Sequence, residues 1–246
     1  MQKLVIKSKK SLKKIDDKAR EILLIFKREK ISKKELLVLH LFFEKNARIF
    51  HNTLNLDDTL IFNNLLIKHR RSSKEILGFN KDFSKIEKII RKVWEKYIKN
   101  NFGECGNYFG AITIIISKEF LIKRKHKNIE SECNLFLKNK KINNIPIDLT
   151  SFYLTTFFMS ECKHAYETQK EKIIKRIPLL KKWSLSIPKE TYNKNKGDVI
   201  NQKKILLITL SFIRKERIIR DFIGILSNEE VINAEDIFNI KIGKSP

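Results

Sequence analysis

The chain is poor in the residues that interrupt or cross-link a fold: its 246 residues include only seven Gly, four Pro and three Cys. So few chain breakers favour long helices over a loop-rich or all-β chain. Cys105, Cys133 and Cys162 are an odd number and lie far apart. They therefore offer neither a disulfide framework nor the paired spacing of a zinc site. We expect reduced thiols in a cytoplasmic protein, with no metal site.

Long hydrophobic runs are also missing. The apolar stretch at the N-terminus, residues 4–6, is too short for the core of a signal peptide. The most hydrophobic windows, residues 145–159 and 205–213, fall short of the roughly 20 residues that cross a bilayer. We therefore expect no integral membrane association.

Positive charge is what the chain has in excess: 52 Lys and Arg against 28 Asp and Glu give a formal net charge of +24. Such a field favours polyanionic partners. However, only 11 of the cations are Arg, and Lys, Ile and Asn make up 99 residues, as A+T-rich codons would produce. Part of the positive charge can thus reflect the base composition of the gene and not a function of the protein. A content of 42% hydrophobic residues, with 17 Phe, excludes a disordered basic tail.

Helix signals dominate the chain. Several segments begin with a Ser that is followed three residues later by a Glu, the spacing of a capping box: Ser32, Ser72, Ser84 and Ser227. Apolar residues then recur at helical intervals. The predicted helices cover about residues 11–30, 32–48, 57–69, 84–99, 148–176, 199–226 and 227–238. The predicted fold class is therefore a mainly α-helical protein.

One segment indicates β-structure. Three glycines lie between residues 103 and 110, and the β-branched run 111–117 and the segment 120–127 follow. This pattern predicts one small β-hairpin or wing near 109–127, although a buried helix is an alternative for so short an apolar run. The predicted organisation is a helical N-terminal half (1–102), a glycine-containing loop with the β element (103–147) and a helical C-terminal half (148–246), or all of these in a single domain.

Clusters of basic residues are the candidate binding sites. Three arginines recur every third residue on the predicted helix 199–226 and would lie along one side of it. The forked guanidinium group suits phosphate better than an ammonium does. The alternative is a solvated helix face. The predicted nucleic-acid-binding residues are Arg214, Arg217, Arg220, Lys123, Arg124, Lys125, Lys127, Arg70 and Arg71.

No catalytic constellation is evident. On a helix, Cys162 and His164 would point away from each other, so they form no nucleophile and base pair. The glycine spacing matches no phosphate-binding motif. Nothing in the sequence fixes the mutual geometry of the carboxylates that a nuclease could use: Glu104, Asp57, Asp58 and Glu161. We therefore expect no catalytic residue and no cofactor.

The sequence thus predicts a non-enzymatic protein that binds DNA or RNA through distributed phosphate contacts, in replication, transcription or ribonucleoprotein assembly. The alternative is a non-catalytic scaffold or adaptor with protein partners in a larger assembly. A basic surface bound to an acidic membrane is a third option.

Overall fold

The computed structural model describes residues 2–8, 13–52, 58–77, 83–99, 104–164, 166–193, 197–211 and 213–240. The chain divides into two units. The sheet unit comprises residues 1–12 and 113–239, and the helical unit comprises residues 13–112 and 240–246.

The helical unit is built on an aromatic core. Its helices are α1 (Lys13–Arg28), α2 (Lys33–Asn52), α3 (Asp58–Leu77) and α4 (Ser84–Val93), which continues as a π-helical turn (Trp94–Ile98). The first turns of α5 (Cys105–Lys123) also belong to it. The ring centroids of Phe62 and Trp94 lie 4.5 Å apart, and those of Phe43 and Phe109 lie 4.7 Å apart. These stacked rings are buried, and an edge contact of Phe42 with Phe62, at 5.8 Å between centroids, links the two pairs in one core.

The sheet unit contains the β-structure. Its strands are β1 (Lys3–Ser8), β2 (Lys127–Leu137), β3 (Lys140–Lys141), β4 (Ile147–Tyr153), β5 (Thr156–Lys163), β6 (Thr191–Asn193), β7 (Val199–Ile200), β8 (Gln202–Thr209) and β9 (Val231–Ile232). Among the described residues they form one nine-stranded mixed sheet in the order β7-β6-β1-β2-β4-β5-β8-β9, with β3 paired to β2. β4 and β5 are an antiparallel hairpin, and β5 runs parallel to β8.

Helices connect and cover the strands. α6 (Tyr166–Ser186) is the crossover between the parallel strands β5 and β8, and α7 (Lys215–Arg220) and α8 (Ala234–Phe238) follow β8. On one face of β5, Phe157 and Met159 pack with Ile173 and Ile177 of α6. On the other face, Phe158 packs with α5 in a second apolar cluster, which we call the α5-side core. The central strands are therefore buried on both faces, as is usual where crossover helices cover a sheet.

The predicted fold class is wrong. The expected hairpin or wing near 109–127 is helical to Lys123, and β2 begins only at Lys127. The predicted helix 148–176 overlaps β4 and contains β5, and the predicted helix 199–226 contains β8. The cause is burial on several sides. An element that is buried all round has no regularly spaced polar residues, so its sequence does not show whether apolar positions recur at helix or strand intervals. The content of β-branched and aromatic residues then predicts the wrong type of element.

Two further details correct the expectations. The predicted helix 148–176 also ends too early, because α6 continues through Pro178 to Ser186. Within the described part of the chain, α5 is the one helix long and apolar enough to cross a membrane, and 44% of its most apolar window is buried. Core helices of water-soluble folds have the same character, so this helix alone assigns no membrane span.

Candidate functional site

Three charged side chains meet at the end of the β4–β5 hairpin that lies away from its turn. Asp148 is the second residue of β4, and Glu161 and Lys163 lie near the end of β5. The antiparallel register pairs Leu149 with Ser160, so Asp148 lies opposite Glu161. Residues two apart on a strand share a face, and Lys163 therefore joins Glu161 beside Asp148.

The ammonium group of Lys163 is held by three oxygens. Its Nζ lies 2.9 Å from Asp148 Oδ2, 2.6 Å from Glu161 Oε1 and 3.1 Å from the backbone oxygen of Cys162. The backbone N–H of Cys162 also donates to Asp148 Oδ2, at 2.8 Å. Two carboxylates and one carbonyl thus converge on a single cation.

Arg176 of α6 holds the far side of Glu161. Its Nε donates to Glu161 Oε2 at 2.9 Å, and a terminal guanidinium nitrogen donates to the backbone oxygen of Pro146. The guanidinium carbon lies 5.2 Å from the ring centroid of Trp183. These contacts fix Glu161, because one carboxylate oxygen is held by Arg176 and the other by Lys163. We call Asp148, Glu161, Lys163 and Arg176 the ion cluster.

Burial sets the electrostatics of the ion cluster. The side chain of Glu161 is only 3% exposed, and its burial, with the charge of Asp148, raises its pKa above the ordinary value. Burial alone would lower the pKa of Lys163, but the carboxylates of Asp148 and Glu161 outweigh it and raise that pKa. Lys163 is therefore protonated at neutral pH.

The donor set suits a hard divalent cation. Carboxylate and carbonyl oxygens are the ligands of Mg²⁺, which is commonly bound through one or two carboxylates and keeps its other positions for water and phosphate. Among the described residues, no group of three or more His, Cys, Asp or Glu could hold a metal ion. The three oxygens around Lys163 Nζ fit the open kind of site and not a closed structural one.

The predicted arginine stripe is only partly retained. Arg214 precedes α7 with extended backbone, at φ −59° and ψ 138°, whereas Arg217 and Arg220 lie on α7. All three side chains are exposed, and Ile218 between them is buried. Arg217 pairs with the exposed Glu167 at 3.0 Å. The helical spacing therefore relates two arginines and not three.

The other predicted binding residues fall into both units. In the sheet unit, Lys123, Arg124, Lys125 and Lys127 are exposed between the end of α5 and the start of β2. In the helical unit, Arg70 and Arg71 are exposed on α3. Their neighbour His69 is buried, with its Nε2 2.9 Å from the backbone oxygen of Val38, so it contributes no surface charge to that cluster. Nucleic-acid contact by these residues stays a prediction.

Most other candidate reactive residues lie apart from the ion cluster. Glu104 accepts a hydrogen bond from Asn107, and Asp57 lies outside the described residues. Cys162 contributes its backbone to the cluster, but its thiol is buried in the α5-side core and has a pKa well above the ordinary value because of that burial. Burial lowers the pKa of His164 to about 4, so its ring is neutral at pH 7.

Sequence reasoning missed Asp148, Lys163 and Arg176 as site residues. All three residues fall within the predicted helix 148–176. The missed signal is the pair Glu161 and Lys163, which share a face only if the segment is a strand. On a helix, the side chains of residues two apart point in different directions, so the predicted helix gave no reason to consider Glu161 and Lys163 together.

Comparisons with known proteins identify no family. No family model matches the chain, and no curated protein matches it. Among solved structures it is similar to Can2 from Sulfobacillus thermosulfidooxidans, which was solved in complex with cyclic tetra-adenylate. The match has 12% identity and a TM-score of 0.33, and it covers 85% of this chain and 52% of Can2. The chain thus spans about half the length of Can2, and the similarity is too low to assign its function.

Proposed function

We propose that the protein is a Mg²⁺-dependent phosphodiesterase that cleaves nucleic acid. One observation carries the proposal: two carboxylates and a backbone carbonyl, from Asp148, Glu161 and Cys162, converge on one cationic centre in the sheet unit. The proposal keeps the expected binding of nucleic acid and adds cleavage to it.

The three oxygens that now surround Lys163 Nζ would hold the divalent cation. A bound Mg²⁺ would supply Lewis-acid polarisation of a phosphoryl oxygen and would lower the pKa of an attacking water. Phosphodiester hydrolysis would add the oxygen of a water to phosphorus and break one P–O bond, and a proton of that water would pass to the leaving oxygen.

Lys163 contributes positive charge. Its pKa is raised by the adjacent carboxylates, so its Nζ keeps its proton at neutral pH and cannot serve as a general base in this state. With Mg²⁺ on these oxygens, the displaced ammonium of Lys163 would be free to stabilise the negative charge that develops on the phosphoryl oxygens in the transition state.

Arg176 positions Glu161. Because the guanidinium holds Glu161 Oε2, the other oxygen of the carboxylate stays directed at the centre that Lys163 occupies. Arg176 acts through Glu161, so we assign it a positioning role and not a direct contact with the substrate.

Charge supports a polyanionic substrate. The net charge of +24 attracts DNA and RNA alike, and affinity should fall steeply with salt as counterions are released. The exposed pair of Arg217 with Glu167 is worth little in water, so Arg217 can exchange its carboxylate for a phosphate. We propose that Arg214, Arg217, Arg220 and the cluster from Lys123 to Lys127 contact the backbone of the substrate.

Cleavage assays test this function. The full chain is incubated with labelled single-stranded and double-stranded DNA and RNA, in Mg²⁺ and in EDTA. We expect Mg²⁺-dependent cleavage that falls on the order of 10²- to 10³-fold in Asp148→Asn and in Glu161→Gln, because each removes charge from the cation site.

The matched control is Asp221→Asn. Asp221 also pairs with a lysine, Lys170, at 2.7 Å and accepts a hydrogen bond from Tyr166, but it lies outside the ion cluster. Cleavage should survive this change. Wild-type protein that binds nucleic acid without cutting it would restore the non-enzymatic interpretation, and a fully active Glu161→Gln variant would remove the ion cluster from the mechanism.

A further inference from the structure

The sheet unit also contains a cavity of about 530 Å³, a volume typical of small-molecule sites. It lies between the end of α5, the tip of the β4–β5 hairpin and strand β8. Its apolar wall includes Leu121, Phe158 and Leu206, all from the α5-side core. No residue of the ion cluster lines this cavity.

Aromatic rings form one side of the cavity. His126 and Tyr153 are stacked, with ring centroids 5.6 Å apart and an interplanar angle of 25°, and the ring of Phe158 lies 4.8 Å from that of His126. His126 Nδ1 is 2.9 Å from Ser151 Oγ, which fixes the ring. Burial and the charge of Arg124 lower the pKa of His126, so its ring is uncharged at pH 7. The nearly parallel rings of His126 and Tyr153 thus form a flat, uncharged surface.

Cations line the same cavity, and one of them, Lys215, is already paired with Asp236 at 2.8 Å. Arg124 is exposed, and its guanidinium carbon lies 5.2 Å from the ring centroid of Phe120. Lys204 faces Glu229 at 3.7 Å, but the glutamate side chain is 84% exposed. So loose and exposed a pair contributes little free energy, and an anionic ligand can compete for Lys204.

We propose that this cavity binds a nucleotide, with the base against Tyr153 and His126 and the phosphate near Arg124 and Lys204. A flat uncharged aromatic surface next to cations matches a ligand that joins an aromatic ring to an anion. The same chemistry is offered by a free mononucleotide and by one nucleotide of a strand.

The cavity and the ion cluster are distinct sites. Phe158 lines the cavity, and Glu161 lies three residues further along β5. An odd separation on a strand places the two side chains on opposite faces, roughly 10 Å apart along the strand. The proposal therefore stands independently of phosphodiesterase activity.

Equilibrium binding tests the proposal. Ribonucleoside monophosphates and a short single-stranded oligonucleotide are titrated in EDTA, without divalent cation, and followed by calorimetry and by NMR of the protein. We expect binding that Tyr153→Ala weakens about tenfold through lost stacking and that Arg124→Gln weakens at low salt.

Leu154→Ala is the matched control, because Leu154 neighbours Tyr153 at the hairpin tip, is 81% exposed and does not line the cavity. It should bind as the wild type does. Binding of mononucleotides assigns the site to a free nucleotide, and binding of the oligonucleotide alone, lost in Tyr153→Ala, assigns it to a strand. No binding of either ligand at millimolar concentration, or equal binding by folded Tyr153→Ala and Arg124→Gln variants, overturns the proposal whatever the cleavage assays give.

Discussion

Replacing Lys163 by Met isolates the role of its ammonium group. The change keeps an unbranched apolar stem but removes the cation that two carboxylates and a carbonyl share. Glu161, only 3% exposed, would then keep Arg176 as its cationic partner, and Asp148 would lose its only ion pair among the described residues. Removing one member of a buried ion pair typically costs about 3–5 kcal/mol, because the remaining charge is left poorly compensated.

The lysine side chain is 17% exposed, so some water reaches it and we expect the lower end of that range, about 3 kcal/mol in EDTA at pH 7. For a chain of this size, 1 kcal/mol shifts the melting temperature by about 2–4 °C. The Lys163→Met variant should therefore melt about 6–12 °C below the wild type.

Divalent cation should reverse this loss. In the variant the oxygens are no longer held by an ammonium, so Mg²⁺ should bind more tightly than in the wild type. A ligand at 100 times its Kd stabilises the folded state by about 2.7 kcal/mol, which is close to the whole loss. The variant should nevertheless be inactive, because the charge of Lys163 is missing from the transition state.

Thermal unfolding followed by circular dichroism, in EDTA and in Mg²⁺, measures both effects. The double variant with Glu161→Gln is the control and should gain less from Mg²⁺. Equal stability of wild type and Lys163→Met in EDTA, or no recovery in Mg²⁺, would refute the reasoning.

The pH dependence gives a further check on the same variant. The folded-state pKa of Lys163 is raised, so its stabilisation is fully present below its unfolded pKa of about 10.4 and is lost only as pH rises through the folded value. The stability gap between wild type and variant should stay constant from about pH 7 to 9.

Three other predictions concern the rest of the molecule. Burial raises the pKa of Cys105 to about 12 and that of Cys133 to about 11, so both thiols should resist iodoacetamide at pH 8 until the chain unfolds, as mass spectrometry would detect; rapid native labelling would contradict this burial. Arg176→Lys keeps a charge but loses the two-point hold, and it should lower kcat about 10- to 100-fold with KM nearly unchanged; full activity would exclude the positioning role. Arg214, Arg217 and Arg220 are exposed, and changing all three to Gln should reduce the slope of log affinity against log salt concentration by about 2 to 3. An unchanged slope would show that these arginines do not contact the nucleic acid.

Helices with one exposed face could be predicted from the sequence. In α4, Ile86, Ile89, Ile90 and Val93 are all buried, as their spacing predicts. The capping boxes of Ser32 and Ser227 are present as well. Ser84 fails as a cap, because the helix begins at this residue and Phe83 takes the cap position. Amphipathic periodicity survives in these elements because water covers one side of each.

The sheet could not be predicted in this way. Residues 205–209 of β8 are buried without interruption, so the strand shows no alternation, and its Ile and Leu fit a helix equally well. Likewise, α5 buries Thr113 and Ser117 along with its apolar residues, and its β-branched run resembles a strand. Tertiary burial outweighs local propensity in both elements.

The ion cluster depended on that missed sheet. Asp148 and Glu161 are 13 positions apart, and only a hairpin that turns at Leu154 and Thr155 places them opposite each other. A hairpin prediction would have identified Asp148, Glu161 and Lys163 together from the sequence alone. Arg176 could not have been added, because its contact depends on how α6 packs on the sheet.

Metal binding at the ion cluster is the central claim, and a Mn²⁺ titration followed by electron paramagnetic resonance of the free ion tests it most directly. Mn²⁺ prefers the same oxygen ligands as Mg²⁺ and reports binding without any substrate. We predict binding to the wild type that is lost in Asp148→Asn combined with Glu161→Gln, kept in Asp221→Asn and tighter in Lys163→Met. Binding that is equally strong in the wild type and in the double variant would contradict the account.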